Sequence, residues 1–154
     1  MSEDVIEDVT NVTEETVTKS NIELIKEYIE TCPLLNGNKL NVDYLKDDIY
    51  SYSIDRTPMQ PKTDNFVDGY GGKYQLGFDF TITMPLSSRA VENLVNSKFG
   101  EDFINWIEEK NKKHELPQVY GAFKIECTTP SYILTKTETT AIYIIQMMLT
   151  YYRI

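Results

Sequence analysis

Few side chains in this sequence of 154 residues are of a type and at a spacing that chemistry requires. His114 is the one histidine, set in the run Lys112, Lys113, His114, Glu115 ahead of Pro117. A transition-metal site needs three or four His, Cys or carboxylate ligands, and no second histidine or neighbouring cysteine joins it. The run reads as a solvated helix C-terminus, where positive charge opposes the helix dipole. The densest carboxylates of the body, Asp43, Asp47 and Asp48, have the chemistry to hold a hard cation or to act as acid and base. They lack the EF-hand spacing and any phosphate-cradling motif, so a polar turn ahead of a strand is the favoured reading. Asp68, Gly69, Tyr70, Gly71, Gly72 and Lys73 have the glycines of a phosphate loop, but not the GxxxxGK[ST] order, and they precede a strand rather than a helix. A hairpin-type turn accounts for them better. Cys32 and Cys127 are far apart without CxxC spacing, which favours two small buried hydrophobes over a zinc site or a disulfide. With no GxSxG and no Cys–His dyad, the expectation is a chain with no catalytic, cofactor-binding or metal site, and so not an enzyme.

The elements that would position these residues follow from hydrophobic period. Ser20 and Glu23 form a capping box ahead of a helix whose stripe is Ile22, Ile25, Tyr28, Ile29 and Cys32, ended by Pro33. Residues 50–55 alternate Tyr50, Tyr52 and Ile54 with Ser51, Ser53 and Asp55, the pattern of a half-buried strand. Residues 57–72 read as an extended loop rich in Pro and Gly. The clearest strand follows, with Tyr74, Leu76, Phe78, Phe80 and Ile82 on one face. A helix pair is then expected, the first member capped by Ser87 and Ser88 and carrying Val91, Leu94 and Val95 inward, with a break or kink at Gly100. The second member places Phe99, Phe103, Trp106 and Ile107 on one side. A third strand begins at Val119, with Thr128 to Pro130 bending it before Tyr132 and Leu134.

The last strand, residues 140–152, is apolar on both faces. Ala141, Tyr143, Ile145, Met147, Leu149 and Tyr151 occupy one, and Ile142, Ile144, Met148 and Tyr152 the other, interrupted by Gln146 and Thr150. Strands of this kind are covered on both sides. Helices cover one face, so a long loop or a neighbouring subunit must cover the second. The order helix, strand, strand, helix pair, strand, strand, with short connections, implies an α+β fold: one domain, an antiparallel four-stranded sheet and helices on one face.

Charge separates an N-terminal arm from this domain. Residues 1–18 hold Glu3, Asp4, Glu7, Asp8, Glu14 and Glu15 and no base, so −6 of the net −9 sits there and −3 on the rest. The arm, without helical or strand period, is expected to be disordered, and residues 19–154 to form the domain. A pI near 4.6 argues against general nucleic-acid binding, which needs clustered Lys and Arg. The acidic N-terminus, with no apolar h-region behind it, is not expected to be a secretory signal, and the longest apolar stretch, 141–149, is about half a membrane span. Eleven Tyr, six Phe and one Trp form an aromatic load suited to interfaces.

From about Asn41 to Tyr152 the sequence resembles the tail terminator or tail completion proteins, also called minor capsid proteins, of long-tailed phages and prophages of Gram-positive hosts. The resemblance rests on NVDYL followed by YSID, a proline-rich TPMQP, a DG turn before an aromatic strand ending FDF, FxxFxxWIEEKN with LP after it, and the closing AIYIIQMMLTYY. The family tends to follow DG directly with Gly and a basic residue; Tyr70 and Gly71 are insertions here. The resemblance implies a non-enzymatic part of the virion that caps the tail tube as a ring, typically a hexamer, on the tail side of the head–tail junction. Its implied partners are further copies of itself, the tail tube protein and the head–tail connector or stopper, with DNA passing the lumen without specific binding and no membrane. The implied location is the virion tail, and the host cytoplasm during assembly. Ile142, Ile144, Met148 and Tyr152 are the expected subunit interface, and the loop with Asp68, Gly69, Tyr70 and Lys73 the expected contact to a neighbouring ring. Two alternatives are a head-completion or stopper protein at the portal and, more distantly, a small hydrolase or transferase using the Asp43, Asp47, Asp48 carboxylates.

Overall fold

Two strands of fourteen residues, β4 (Gly72–Pro85) and β7 (Thr140–Arg153), run antiparallel along their full length and form the spine of the molecule. A computed structural model describes residues 19–66 and 71–153; the expected acidic arm and the loop residues Asp68, Gly69 and Tyr70 lie outside the described residues. The register sets Phe78 opposite Met147 and Phe80 opposite Ile145. The alternation read from the sequence therefore places both apolar rows on the same face. The chain is a single α+β domain, with α1 (Asn21–Ile29), a 3-10 turn at Pro33–Leu35, and α2 (Ala90–Lys112) packed on that face.

Among the described residues the sheet has seven strands rather than the expected four, and it is mixed. Each outer edge of the spine is shared by two short strands. β2 (Ser51–Arg56) and β3 (Lys62–Asn65) pair with opposite halves of β4, while β5 (Ala122–Cys127) and β6 (Tyr132–Lys136) pair with opposite halves of β7. What reads as one bent strand from Val119 to Leu134 is thus two, separated where Thr128 and Thr129 bond to the backbone of Gln146. β1 (Leu40–Val42) adds a parallel edge to β2. Its return segment crosses the face opposite the helices, where the Thr83 hydroxyl donates to the Lys46 carbonyl at 2.9 Å.

α2 is one continuous helix, which corrects the expected pair with its break at Gly100. A Cβ at Gly100 would lie 2.4 Å from the Ser131 Cβ, so the glycine is there for close approach of β6's lead-in and does not end the helix. Val91, Leu94 and Val95 are not inward; they are 69%, 64% and 64% exposed. The inward row is Asn96, Gly100, Phe103 and Ile107. Asn96 is buried because its amide donates to the Pro85 carbonyl at 2.7 Å. Ser87 and Ser88 do not occupy the N-cap, which is Arg89; Asn93 reaches back to the Ser87 backbone instead. At α1 Ser20 is the N-cap as expected, with its Oγ accepting from the Glu23 N–H at 3.2 Å, which is one half of a capping box.

An aromatic chain fastens the layers. Tyr52 on β2 stacks on Phe80 at 6.1 Å, Phe80 on Phe103 at 4.4 Å, Phe103 meets Trp106 at 6.0 Å, and Trp106 meets Tyr28 of α1 at 5.6 Å. The Asn111 side chain ties the end of α2 to β5 by donating to the Ile125 carbonyl and accepting from the Ile125 N–H at 3.0 Å.

His114 closes α2. It sits at φ 57, with its N–H bonded to Asn111 O and the Glu115 N–H bonded to Lys110 O, the paired bonds of a Schellman cap. Glycine meets no Cβ penalty in this conformation. His114→Gly is expected to stabilise the fold by about 0.5–1 kcal/mol after the entropy of the unfolded glycine is counted, raising Tm by roughly 2–3 °C, as read by thermal denaturation.

Candidate interaction surface

The residues singled out for chemistry have structural partners. Asp43, at φ 56, follows β1 and holds Arg56 with both carboxylate oxygens, accepting from the Arg56 N–H at 3.0 Å and from Nε at 2.9 Å. The Arg56 guanidinium keeps the Asp43 carboxyl below the usual carboxylate range. That pairing orients Asp43 toward strand β2, and Asp47 and Asp48 are exposed on the crossing segment. Among the described residues no cluster of His, Cys, Asp or Glu has the geometry of a metal site. Cys32 is buried, and Cys127 is half-buried; burial, then Glu108 and Glu126, push the Cys127 thiol up to about 12. A thiol so far from its thiolate form is a poor nucleophile at neutral pH.

One carboxylate is poorly accommodated. Asp79 stands directly opposite Asp55 between β4 and β2. Asp55 accepts from Ser53 Oγ at 2.8 Å and Thr81 Oγ1 at 3.4 Å, whereas Asp79 Oδ1 is shielded from solvent without a partner. Burial, then the Asp55 charge, raise the Asp79 carboxyl above its ordinary value. An acid with a raised folded-state pKa destabilises the fold when ionised. The effect is absent below the unfolded value of about 3.9 and grows as pH rises through the folded value. Asp79→Asn is therefore expected to raise Tm by about 2–4 °C at pH 7, with the gain vanishing near pH 3.5. Melting curves at the two pH values check it.

The expected interface row on β7 is mostly covered by the chain itself. Ile144 is 4% exposed, while Ile142, Met148 and Tyr152 are half-buried. Tyr152 packs between Phe66 at 6.5 Å and Phe123 at 5.4 Å. Gln146, which interrupts the row, bonds to the Tyr132 hydroxyl at 3.3 Å. Of the expected ring-contact loop, Lys73 is described: it lies on β4 opposite Tyr152.

More exposed apolar side chains lie elsewhere. The first half of α2 turns Val91, Leu94 and Val95 to solvent, and Val95 lines a groove with Tyr50, Pro85 and Leu86. The lead-in to β6 passes the same helix, with Ser131 against Gly100, and the five residues of β6 are exposed; Ile133, opposite Tyr143, faces the helix side, whereas Tyr132, opposite Ile144, faces the other. Its outer edge pairs with no strand of the described residues. The second half of α2 presents Glu101, Asn105, Glu108 and Glu109 on its outer side. On α2 the outward apolar residues are thus confined to its first half. Exposed apolar side chains grouped on one stretch of a helix mark a candidate contact site, and an open strand edge nearby adds unpaired backbone groups. Sequence reasoning assigned Val91, Leu94 and Val95 to the core. Counting back from Phe103 and Ile107 in steps of three and four reaches Asn96 and Phe99 instead, and was the available signal.

Neither a protein-family model nor a curated protein matches the chain. No helix of the described residues is long and apolar enough to cross a membrane.

Proposed function

We propose that this chain is a non-enzymatic structural protein of a phage virion, which caps the tail tube as a ring and forms the tail side of the head–tail junction. The observation that carries the reading is the outward apolar surface of α2 and β6, together with the sequence resemblance from Asn41 to Tyr152. A ring of identical subunits needs two different patches that meet head to tail. The α2–β6 surface supplies one. The partly exposed Ile142, Met148 and Tyr152, on the opposite face of the sheet, supply the other. The proposed partners are further copies, a tail tube protein and a connector protein, and the modest −3 of residues 19–154 suits a lumen wall along which DNA slides without sticking.

Light scattering on the purified chain, alone and with tail tubes, tests this. The expected result is a particle several times the 17.8 kDa of one chain, formed alone or on the tube end, and tubes that stop growing. A strict monomer that leaves tubes uncapped overturns it, and a subunit seen by cryo-EM on the portal side selects a head-completion role instead.

A further inference from the structure

One end of the sheet gathers cations onto aromatic rings. Tyr74 of β4 and Tyr151 of β7 oppose each other and stack at 5.5 Å. Lys62 Nζ lies 5.7 Å from the Tyr74 ring centre, and the Arg153 guanidinium lies 5.2 Å from Tyr74 and 5.8 Å from Tyr151. On the reverse face, Lys73 stands opposite Tyr152, whose ring is flanked by Phe66 and Phe123. Cations over ring faces are attracted by the ring quadrupole, but that contact leaves their charge uncompensated. Lys98 and Lys110 have carboxylate partners at 3.2 and 2.7 Å; among the described residues Lys62, Lys73 and Arg153 form no ion pair, although Asp64 of β3 stands opposite Lys73. In a chain of net charge −9, three positive charges on one rim with a single carboxylate opposite them leave room for an acidic occupant.

The chain carries one. Residues 1–18 hold six carboxylates and no base, interleaved with Val5, Ile6, Val9 and Val12. They join the fold at Lys19, which lines a groove with Leu24, Gln118 and Tyr120. Tyr120 precedes Gly121, whose carbonyl accepts the Tyr152 N–H at 2.9 Å, one residue from Arg153. A series of neighbours thus runs from Lys19 toward the rim. At about 3.3 Å per residue it reaches roughly 60 Å when extended, against about 4.8 Å between neighbouring strands. A tethered segment also acts at millimolar effective concentration.

We propose that the acidic N-terminal segment docks on its own subunit's rim, with carboxylates from the stretch 3–15 pairing with Lys62, Lys73 and Arg153 and its valines and isoleucine resting on the exposed rings of Phe66 and Phe123. Three solvent-exposed pairs of modest strength favour the docked state by about tenfold at low salt. The inference requires only one subunit and is tested without the ring, although the rings it uses flank Tyr152 of the proposed ring contact.

The test uses the full chain as an equal mixture of unlabelled and 15N-labelled protein, treated with a zero-length carbodiimide cross-linker and mapped by mass spectrometry. Cross-links from Glu3, Asp4, Glu7 or Asp8 to Lys62 and Lys73 are expected within single-isotope peptide pairs, lost in about 0.5 M salt where the Debye length is only about 4 Å. Mixed-isotope pairs would place a neighbouring copy's segment there and overturn docking in cis. Cross-links spread evenly over Lys39, Lys46, Lys113 and Lys136, or joining Lys73 to Asp68 in place of the segment, would overturn it as well. As a second measurement, K62E/R153E is expected to raise the rate of glutamate-specific cleavage within residues 1–15 about tenfold, with its thermal unfolding little changed. An unaltered cleavage rate overturns the proposal.

Discussion

Phe103→Ala is expected to lower stability by about 3–5 kcal/mol, a fall in Tm of roughly 10 °C for a chain of this size. Phe103 is fully buried, and it is the side chain through which α2 grips the sheet, stacked on Phe80 at 4.4 Å and meeting Trp106 at 6.0 Å. Removing the ring opens a cavity between two layers that are each internally rigid, so little collapse can fill it. β4 is held on both edges by β2 and β7, and α2 is fixed at one end by Asn96 on Pro85 and at the other by Asn111 on Ile125. The loss should also reach α1, because Tyr28 touches the sheet layers through Trp106 and donates to the Glu115 carbonyl at 2.7 Å. Phe103→Leu keeps most of the apolar volume and is expected to cost about 1–2 kcal/mol. Urea titration of both variants checks the pair. A midpoint for Phe103→Ala within error of the parent would mean that the aromatic chain is not what couples the layers.

The same core shows what the sequence could and could not say. Phe78, Phe80 and Ile82, alternating with polar residues, fix β4 and its buried face, because a period of two in one long run has no competing explanation. β7 is legible for the same reason. β1 and β3 are not: three residues are too few to show a period, and Lys62–Asn65 carries no apolar residue. Both exist because a neighbouring strand, β2 for β1 and β4 for β3, offers unpaired backbone groups, a tertiary cause that leaves no local trace.

α2 failed in a more instructive way. Treating apolar residues as inward is sound for an isolated domain, and it put Val91, Leu94 and Val95 in the core. The inward row instead contains a hydrogen-bonded Asn96 and a Gly100 set by close approach to Ser131. The misplaced residues are the ones now left without a cover. A residue that breaks the monomer's hydrophobic pattern at no gain to the monomer is where a partner should be sought.

Leu94→Asp combined with Val91→Asp tests that partner directly and should give the largest functional effect. Both side chains are more than 60% exposed, so the variant's own unfolding should move by no more than about 0.5 kcal/mol. Assembly should respond far more strongly. Burying two apolar side chains of this size contributes about 1.5–3 kcal/mol each, and placing unpaired carboxylates in the desolvated contact adds a further cost. The dissociation constant of one contact should therefore rise by at least a hundredfold, and a closed ring, in which every subunit makes two such contacts, should fail to form. Glu101→Lys, on the charged outer side of the same helix, serves as the matched control and should leave the particle size unchanged. Sedimentation velocity across a concentration series reads both. If the double variant assembles like the parent, the α2 surface is not the contact, and the interface moves to the other face of the sheet at Ile142, Met148 and Tyr152. If it is monomeric yet melts like the parent, the exposed half of α2 is the head-to-tail contact of the ring.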